Sequence, residues 1–265
     1  MAIKVGVFGA GGRMGSTVCR AVADDPGLEL TAAVDPHHAG IDLRQVTGIE
    51  KPSLQIVPDA DALEQAGAEV AVDFTLIDAA RENMRWCAKR GVHAVVGTSG
   101  FTQDDFDEFG KLFAKSKANC VIAPNFALGA VLMIRFAELA APYFDSAEII
   151  ELHHDEKIDA PSGTAMHTAS RMAEASDTWA KDPTKKKLLT GARGGEGPGG
   201  IRIHSVRMRG MVAHQEVLLG TTGQNLTIRH DSYDRTSFMP GVLLAVKAVG
   251  ERPGLTVGLD ALLDL

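Results

Sequence analysis

The sequence predicts an α/β protein in which a doubly wound parallel sheet is followed by a second, α+β domain with an open mixed β-sheet. Short apolar runs rich in β-branched residues alternate with helical repeats up to about residue 126, which is typical of parallel strands joined by helices. A glycine-rich turn joins the first strand to the first helix. Beyond residue 127 the alternation stops and three strands follow one another, which indicates a separate sheet.

The first part of the chain contains five predicted strands and three predicted helices. The apolar runs predict strands at residues 2–10, 28–34, 69–75, 92–96 and 120–123. Apolar residues at helical spacing predict helices at residues 12–23, 78–90 and 104–115. Residues 36–58 contain scattered glycines and prolines and are predicted to form a loop or an insertion.

The second part begins with a long helix, predicted at residues 127–143. A strand at 148–153 and a helix at 162–175 follow, and the polar, glycine-rich residues 181–200 predict a flexible excursion. Three consecutive strands are predicted at 201–208, 212–220 and 225–230, with the helices on one face of their sheet. A helix at 235–249 and a short strand at 255–257 form a tail that could return to the first domain. The predicted domains are therefore residues 1–126, joined by the tail from about 235 to 265, and residues 127–234.

Composition and charge exclude several classes of protein. The chain has 265 residues, 45% of them hydrophobic, as expected of a globular protein. The net charge of −7 argues against a general nucleic-acid binder but leaves room for a local basic pocket. The three cysteines are far apart and form no CxxC pair, which predicts reduced thiols in the cytoplasm. No secretory signal and no apolar run of about 18 residues is present, so we expect no membrane partner.

The turn after the first strand is a candidate Rossmann-like binding site for a nicotinamide dinucleotide. It reads G-A-G-G-R-M-G, with glycines at Gly9, Gly12 and Gly15. Glycines permit a tight turn close to a diphosphate, and the following helix presents free N–H groups to the phosphates. Asp35 ends the next strand and could bind an adenosine ribose, which favours NAD. Because Arg13 could serve a 2′-phosphate, both NADH and NADPH remain open, as does a tight turn without a ligand.

Two further strand ends are candidates for the same site. The segments G-T-S-G at residues 97–100 and A-P-N-F at residues 123–126 should lie at the carboxyl edge of the sheet. Ligands bind at that edge in doubly wound folds. The alternative for each segment is an ordinary turn between a strand and a helix.

The segment E-L-H-H-D-E-K-I-D-A-P-S-G-T-A, residues 151–165, combines proton-transfer groups with an anion-binding turn. A histidine can hold or donate a proton near neutral pH, and Lys157 adds a positive charge or a second proton donor. The helix predicted after Pro161 leaves the N–H groups of Gly163 and Thr164 available for a carboxylate. A metal site is disfavoured because adjacent histidines on a strand point to opposite faces. A solvated polar loop with one structural histidine is the remaining alternative.

The same segment resembles the signature of the 4-hydroxy-tetrahydrodipicolinate reductases, long called dihydrodipicolinate reductases. That signature runs E-x-H-H-x-x-K-x-D-x-P-S-G-T-A, and this chain fits it throughout. The loop G-x-x-G-R-M-G and the segments V-V-G-T-S-G-F-T, I-A-P-N-F-A-L-G-A and R-H-D-S-Y-D-R-T-S-F also resemble this family, so the resemblance covers the whole chain. Ser99 stands where threonine is usual in the family, a departure that keeps the hydroxyl.

The resemblance implies a role for each group of residues. His153 would be the acid/base residue, Lys157 the second proton donor, and His154, Gly163 and Thr164 the substrate-binding residues. The residues that would line NADH or NADPH are Gly9, Ala10, Gly11, Gly12, Arg13, Met14, Asp35, Gly97, Thr98, Ser99, Ala123, Pro124, Asn125 and Phe126. The first domain would bind the dinucleotide, and the second would bind substrate and join four chains into a homotetramer.

The reaction that the resemblance implies is reduction of a cyclic, unsaturated dicarboxylate in lysine and diaminopimelate biosynthesis. Hydride would arrive at C4, the 4-hydroxyl would leave as water, and a His/Lys pair would supply the proton. Two competing functions are another NAD(P)-dependent dehydrogenase of small substrates and a non-enzymatic dinucleotide sensor. Neither would need this histidine–lysine segment beside an anion-binding turn.

Overall fold

The computed structural model describes residues 1–263 and contains two compact units. The first unit comprises residues 1–128 and the chain from residue 235 onward, and the second comprises Gly129–Asp234. The predicted fold class is confirmed, because a six-stranded parallel sheet lies in the first unit and a five-stranded mixed sheet in the second.

Within residues 1–263, the first unit contains six parallel strands and six α-helices. The strands are β1 Ile3–Phe8, β2 Leu28–Val34, β3 Val70–Asp73, β4 His93–Val96, β5 Cys120–Ile122 and β11 Leu255–Val257. The helices are α1 Arg13–Asp24, α2 Leu43–Thr47, α3 Asp61–Gln65, α4 Ile77–Arg90, α5 Gln103–Phe113 and α8 Met239–Ala248. The sheet order is β11-β5-β4-β3-β1-β2, so the order reverses beside β1, where ligands bind in such folds.

Local sequence sets the ends of the long helices. Thr102 caps α5, because its hydroxyl accepts from the N–H of Asp105 while the Asp105 carboxylate accepts from the N–H of Thr102. Arg81 of α4 binds both oxygens of Asp105 at 2.8 Å and so ties the two helices together. At the end of α4, Gly91 adopts a φ of 76°, a left-handed conformation that suits glycine.

The core of the first unit is built from alternating apolar side chains of the strands and the apolar faces of α4 and α5. Phe109 and Phe113 of α5 are almost fully buried and belong to one cluster with Phe8 of β1 and Met84 of α4. The three cysteines, Cys19, Cys87 and Cys120, are buried and free, and burial raises the pKa of Cys19 to about 12.

Helices cover one face of the mixed sheet in the second unit. Its elements are α6 Leu128–Ala140, β6 Ser146–His153, α7 Gly163–Ala175, β7 Gly195–Glu196, β8 Arg202–Arg207, β9 Ala213–Thr221 and β10 Gln224–Ser232. The sheet order is β10-β9-β6-β8-β7, and only β6 and β8 are parallel. Ile149 of β6 and Val217 of β9 are fully buried against Met133 of α6 and Met172 of α7.

Several predicted boundaries change in the structure. The segment 36–58 is not only a loop, because it contains α2 and a 3-10 turn at Pro36–His38. The glycine-rich excursion at 181–200 contributes the short strand β7, which pairs with β8. Ser162 is the N-cap of α7 rather than its first residue, since its hydroxyl accepts from the N–H of Ala165. Among the described residues, no helix combines the length and apolar character needed to cross a membrane.

Candidate functional site

The carboxyl ends of five neighbouring strands lie side by side in the first unit. Phe8, the last residue of β1, is paired in register with Val34 of β2 and with Asp73 of β3. Asp73 is paired with Val96 of β4, which is paired with Ile122 of β5. The glycine loop, Asp35 and the segments after residues 96 and 122 therefore share one edge of the sheet, as the sequence predicted.

The geometry of the glycine loop fits a dinucleotide diphosphate. Gly9 has a φ of 70°, which allows the chain to turn directly after β1. A Cβ on Gly15 would overlap the carbonyl oxygen of Gly9, so helix α1 can approach the loop only because Gly15 lacks a side chain. Gly12 caps α1 without a side chain, which leaves the first N–H groups of the helix available to phosphate.

Asp35 lies against the glycine loop. Its side chain is buried, with one oxygen 3.1 Å from the N–H of Gly11 and the other accepting from the N–H of His37 at 2.9 Å. The ring nitrogen Nδ1 of His38 lies 3.1 Å from the first oxygen. The carboxylate that the sequence predicts for ribose binding is thus fixed next to the loop that would bind the phosphates.

A buried carboxylate that sequence reasoning missed supports the segment after β4. Asp73 is 3% exposed and accepts hydrogen bonds from Thr75, from Asn83 at 2.7 Å and from the hydroxyl of Thr98 at 3.2 Å. The Thr98 hydroxyl also lies 3.0 Å from the carbonyl of Thr75, so both contacts hold this predicted cofactor residue to the end of the neighbouring strand. The only signal in the sequence is an aspartate inside the apolar run V-A-V-D-F.

The segment after β5 divides into buried and accessible residues. Ala123 and Phe126 are buried, and the Phe126 ring packs on Phe74 with ring centroids 5.8 Å apart. Pro124 is exposed, and the side chain of Asn125 accepts from the N–H of Ala127 at 2.9 Å. A ligand could therefore reach the side chains of Pro124 and Asn125. The buried side chains of Ala123 and Phe126 instead hold the backbone of the segment in place.

In the second unit, His153 is the last residue of strand β6 and lies at the end of the mixed sheet. Glu151 and His153 are two residues apart on β6 and so face the same side. Nδ1 of His153 lies 2.5 Å from the carboxylate of Glu151, whose side chain is fully buried. Because an ionised carboxylate only accepts hydrogen bonds, Nδ1 must carry a proton in this pair.

Arg207, on the neighbouring strand, binds the same Glu151 carboxylate. Sequence reasoning missed this residue. It is the register partner of His153 on β8, and its guanidinium donates to both oxygens of Glu151 at 2.8 Å. A further bond of 2.6 Å reaches the backbone carbonyl of Asp159. Arg207 is 54 residues from His153 along the chain, and no pattern in the sequence indicates that they meet.

The loop between β6 and α7 contains the other predicted residues. Lys157 is partly buried and its ammonium group donates to Asp159 at 2.7 and 2.9 Å. His154 follows the last residue of β6 and is exposed. Gly163 and Thr164 are the first two residues of α7, so their N–H groups have no acceptor in a preceding helical turn.

The electrostatics of the loop act on the protonation of His153. Burial lowers the pKa of His153 below its usual value, because the charged imidazolium loses solvation. The carboxylate of Glu151 opposes this by favouring the charged form, whereas Lys157 and Arg207 lower the pKa further. His153 can therefore donate or accept a proton, and the buried carboxylate of Glu151 lies beside it as a counter-charge. Within residues 1–263, no three His, Cys, Asp or Glu side chains are grouped as metal ligands would be.

Comparison with known proteins identifies relatives over the full length of the chain. Residues 3–126 match the family model described as dihydrodipicolinate reductase, N-terminus, and residues 129–263 match the model of the C-terminus. The chain is 50% identical to the 4-hydroxy-tetrahydrodipicolinate reductase of Nocardia farcinica, over 100% of both chains. It is 49% identical to that of Mycobacterium marinum, over 99% of this chain and 100% of the relative.

A solved structure is similar over nearly all of the chain. The dipicolinate-bound dihydrodipicolinate reductase of Paenisporosarcina sp. TG-14 superimposes with a TM-score of 0.87 at 40% identity. The match covers 98% of this chain and 99% of that one.

Proposed function

This chain belongs to the 4-hydroxy-tetrahydrodipicolinate reductase family and is an NAD(P)H-dependent oxidoreductase of lysine and diaminopimelate biosynthesis, and from this premise we propose that His153 and Lys157 supply protons to the substrate. The observation that carries the proposal is the contact of 2.5 Å between His153 and the buried Glu151. A histidine held against an internal carboxylate can cycle between its charged and neutral forms without losing its orientation.

The proposed reaction reduces a carbon–carbon double bond conjugated with a ring nitrogen. NADH or NADPH, when bound, supplies a hydride to C4. The electron pair displaced by the hydride moves into the ring as an enamine, and His153 or Lys157 stabilises this charge and delivers a proton to C3. The 4-hydroxyl leaves as water before or during reduction, and the product is tetrahydrodipicolinate.

The substrate carboxylates would be bound beside these proton donors. Gly163 and Thr164 offer N–H groups at the positive end of the α7 dipole, and the Thr164 hydroxyl adds a donor. His154, exposed in the loop before α7, would hold a second carboxylate. Dipicolinate, the ligand named for the Paenisporosarcina structure, is a flat ring with two carboxylates and is the natural probe of this site.

The cofactor would lie along the carboxyl edge of the parallel sheet. We assign the diphosphate to residues 9–14, the adenosine ribose to Asp35, and the nicotinamide to the segments 97–99 and 123–126. Both NADH and NADPH would be used, because Asp35 suits a ribose diol while Arg13 is exposed at the start of α1 and could bind a 2′-phosphate.

We further propose that four chains assemble through the face of the mixed sheet opposite the helices and that the protein acts in the cytoplasm. Side chains of β6 and β9 on that face include the half-buried Ile150, Leu152 and Leu218. That face also carries Glu148 and Glu216, so a second copy would meet apolar and charged side chains together. Light scattering should give four times the chain mass, and Leu218→Asp should reduce it, whereas a monomeric wild type would refute the assembly.

A coupled assay tests the reaction itself. Aspartate semialdehyde, pyruvate and the enzyme that condenses them supply the substrate, and oxidation of NADH and of NADPH is followed separately. We expect oxidation of at least one cofactor that depends on all components. No oxidation of either would refute the proposed reaction, and oxidation without the condensing enzyme would favour a dehydrogenase of the semialdehyde.

Alanine variants test the proton donors. His153→Ala and Lys157→Ala should each lower kcat by about 10²- to 10⁴-fold, the usual value of a general acid, with little change in NADH affinity. His93→Ala is the matched control for histidine, since His93 begins β4 at the opposite edge of the sheet. Lys185→Ala removes an exposed lysine as the second control. A protein that only senses the cofactor would show no turnover in the wild type, so neither variant could lower it.

A further inference from the structure

We propose that Glu151, held in place by Arg207, is a positioning residue whose carboxylate keeps a proton on Nδ1 of His153 and so presents Nε2 to the substrate. The inference rests on the proposed role of His153 in proton transfer. It adds two residues to the machinery of the reaction and gives each a separate task.

The strand geometry makes the contact between Glu151 and His153 a fixed one. Both side chains project from the same face of β6, and the backbone of β6 is held between β8 and β9. Glu151 is fully buried and His153 is 15% exposed, so neither side chain can turn away into solvent without leaving the core. The 2.5 Å between Nδ1 and Oε2 places the two groups in hydrogen-bond contact, and a bond to an ionised carboxylate is stronger than one between neutral groups.

Arg207 keeps Glu151 ionised and oriented. A buried carboxylate without a partner would take up a proton, because burial disfavours its charge. Burial does raise the pKa of Glu151, but the hydrogen bonds from Arg207, Ser205 and His153 outweigh that effect and leave the pKa below its usual value. The backbone N–H of Ser162, the N-cap of α7, donates to the second oxygen of Glu151 at 3.2 Å. The carboxylate thus links the acid residue to the start of the helix that would bind the substrate.

The arrangement determines which nitrogen transfers the proton. With Nδ1–H bound to Glu151, the imidazolium of His153 can donate only from Nε2. The Nε2–H bond breaks as the C3–H bond of the substrate forms, and the electron pair stays on Nε2. The proton on Nδ1 is retained throughout, so the neutral product is the Nδ1–H tautomer. Solvent then returns a proton to Nε2 for the next turnover.

The charges around His153 predict how its titration responds. Glu151 on β6 favours the imidazolium, whereas Arg207 on β8 and Lys157 in the following loop oppose it. Asp159 neutralises part of the Lys157 charge through their ion pair. Replacing Glu151 by glutamine removes the only carboxylate bound to the ring among the described contacts, so the pKa of His153 should fall. Since the acid form transfers the proton, kcat should then decline at a lower pH than in the wild type.

The first experiment uses the unaltered protein. Imidazole nitrogens are labelled with ¹⁵N, and the signals of His153 are assigned by their loss in His153→Gln. We expect the neutral ring to be the Nδ1–H tautomer, although free histidine has two tautomers available. A neutral ring protonated on Nε2 instead would overturn the proposal.

The second experiment compares two glutamate-to-glutamine variants. Glu151→Gln should lower kcat at pH 7 by about 10- to 100-fold, part of the general-acid effect, with unchanged NADH affinity. It should also move the alkaline limb of the kcat profile and the NMR pKa of His153 together to lower pH. Glu138→Gln is the matched control, because Glu138 is a part-buried carboxylate of the same unit that pairs with Arg135 and Arg171. It should leave both the profile and the titration of His153 unchanged.

The outcomes separate this inference from the proposed function. If His153→Ala keeps full turnover, the role of His153 fails and the positioning role with it. If His153→Ala loses turnover but Glu151→Gln keeps the wild-type profile and tautomer, only the positioning role fails. Should Glu151→Gln not fold, Arg207→Lys retains a positive charge while removing the two-point contact, and it should shift the profile in the same direction by less. An unshifted profile in Arg207→Lys, with the Nε2–H tautomer, would count against the proposal.

Discussion

Replacing Arg207 by methionine should strongly destabilise the second unit while keeping an unbranched apolar stem. The change removes two hydrogen bonds of 2.8 Å to a carboxylate that has no exposed surface. His153, the Ser205 side chain and the N–H of Ser162 remain as partners, but none of them replaces the guanidinium charge. Breaking one side of a buried ion pair costs about 3–5 kcal/mol, and we expect a loss of unfolding free energy in that range at pH 7.

The loss of unfolding free energy in Arg207→Met should depend on pH, and the direction of that dependence identifies Glu151 as its source. In the wild type the pKa of Glu151 is depressed, so its stabilising contribution is present above the unfolded value of about 4.3 and is lost at lower pH. Without Arg207, burial dominates and the pKa should rise above the unfolded value. The cost of a buried, unpaired Glu151 charge is then present in full above that raised pKa, and it disappears as Glu151 takes up a proton. The difference between Arg207→Met and wild type should therefore shrink from pH 8 to pH 4.5.

Urea unfolding in a Trp86→Phe background measures this difference. The chain has two tryptophans, and removing Trp86 leaves Trp179 as a reporter of the second unit. The double variant Arg207→Met/Glu151→Gln should recover much of the loss, because the buried charge is gone. Arg209→Met, which removes a 92% exposed arginine two residues further along, should change nothing measurable. A loss that is equal at both pH values and unrelieved in the double variant would refute the reasoning.

Three further changes test the first unit, two of them at the carboxyl edge of its sheet. Gly15→Ala places a Cβ on the backbone carbonyl of Gly9, which must move, so we expect at least a tenfold loss of NADH affinity by calorimetry, or about 1.4 kcal/mol. Gly110→Ala lies inside α5 with open space around the new methyl group, and it should instead raise the free energy of unfolding by about 0.5–1 kcal/mol. Asp73→Asn leaves donors of the buried cluster unpaired and should cost about 1–3 kcal/mol in urea unfolding while weakening NADH binding through Thr98. Unchanged NADH affinity in that variant would show that Asp73 does not support the cofactor segment.

Much of the fold follows from local sequence, because each element is consistent with its own pattern. Alternating apolar runs and helical repeats predicted every strand of the parallel sheet and the longer helices beside it. Some short elements were not predicted. Helix α2 has only five residues, and the two-residue strand β7 forms only by pairing with the edge of β8. Elements of this length have too few residues to show a period, so tertiary contacts decide whether they form.

The site was predictable to the extent that its residues are close together in the chain. The segment 151–165 shows its histidines, lysine and helix start within fifteen residues. Asp73 gave only a weak signal, since one polar residue in a strand has many explanations. Arg207 gave none, because its partner lies on another strand and the pairing depends on register.

The sequence by itself determined the family, the glycine loop, the edge of the sheet where the cofactor residues lie, and the segment that contains the proposed proton donors. These are properties of short stretches, in which residue type and spacing already express the chemistry. Only the tertiary structure decided which charge meets which: Arg207 with Glu151, Glu151 with His153, and Asp73 with Thr98. The physical reason is that strand pairing and burial bring distant side chains within 3 Å or so of each other, where low polarity makes each contact strong.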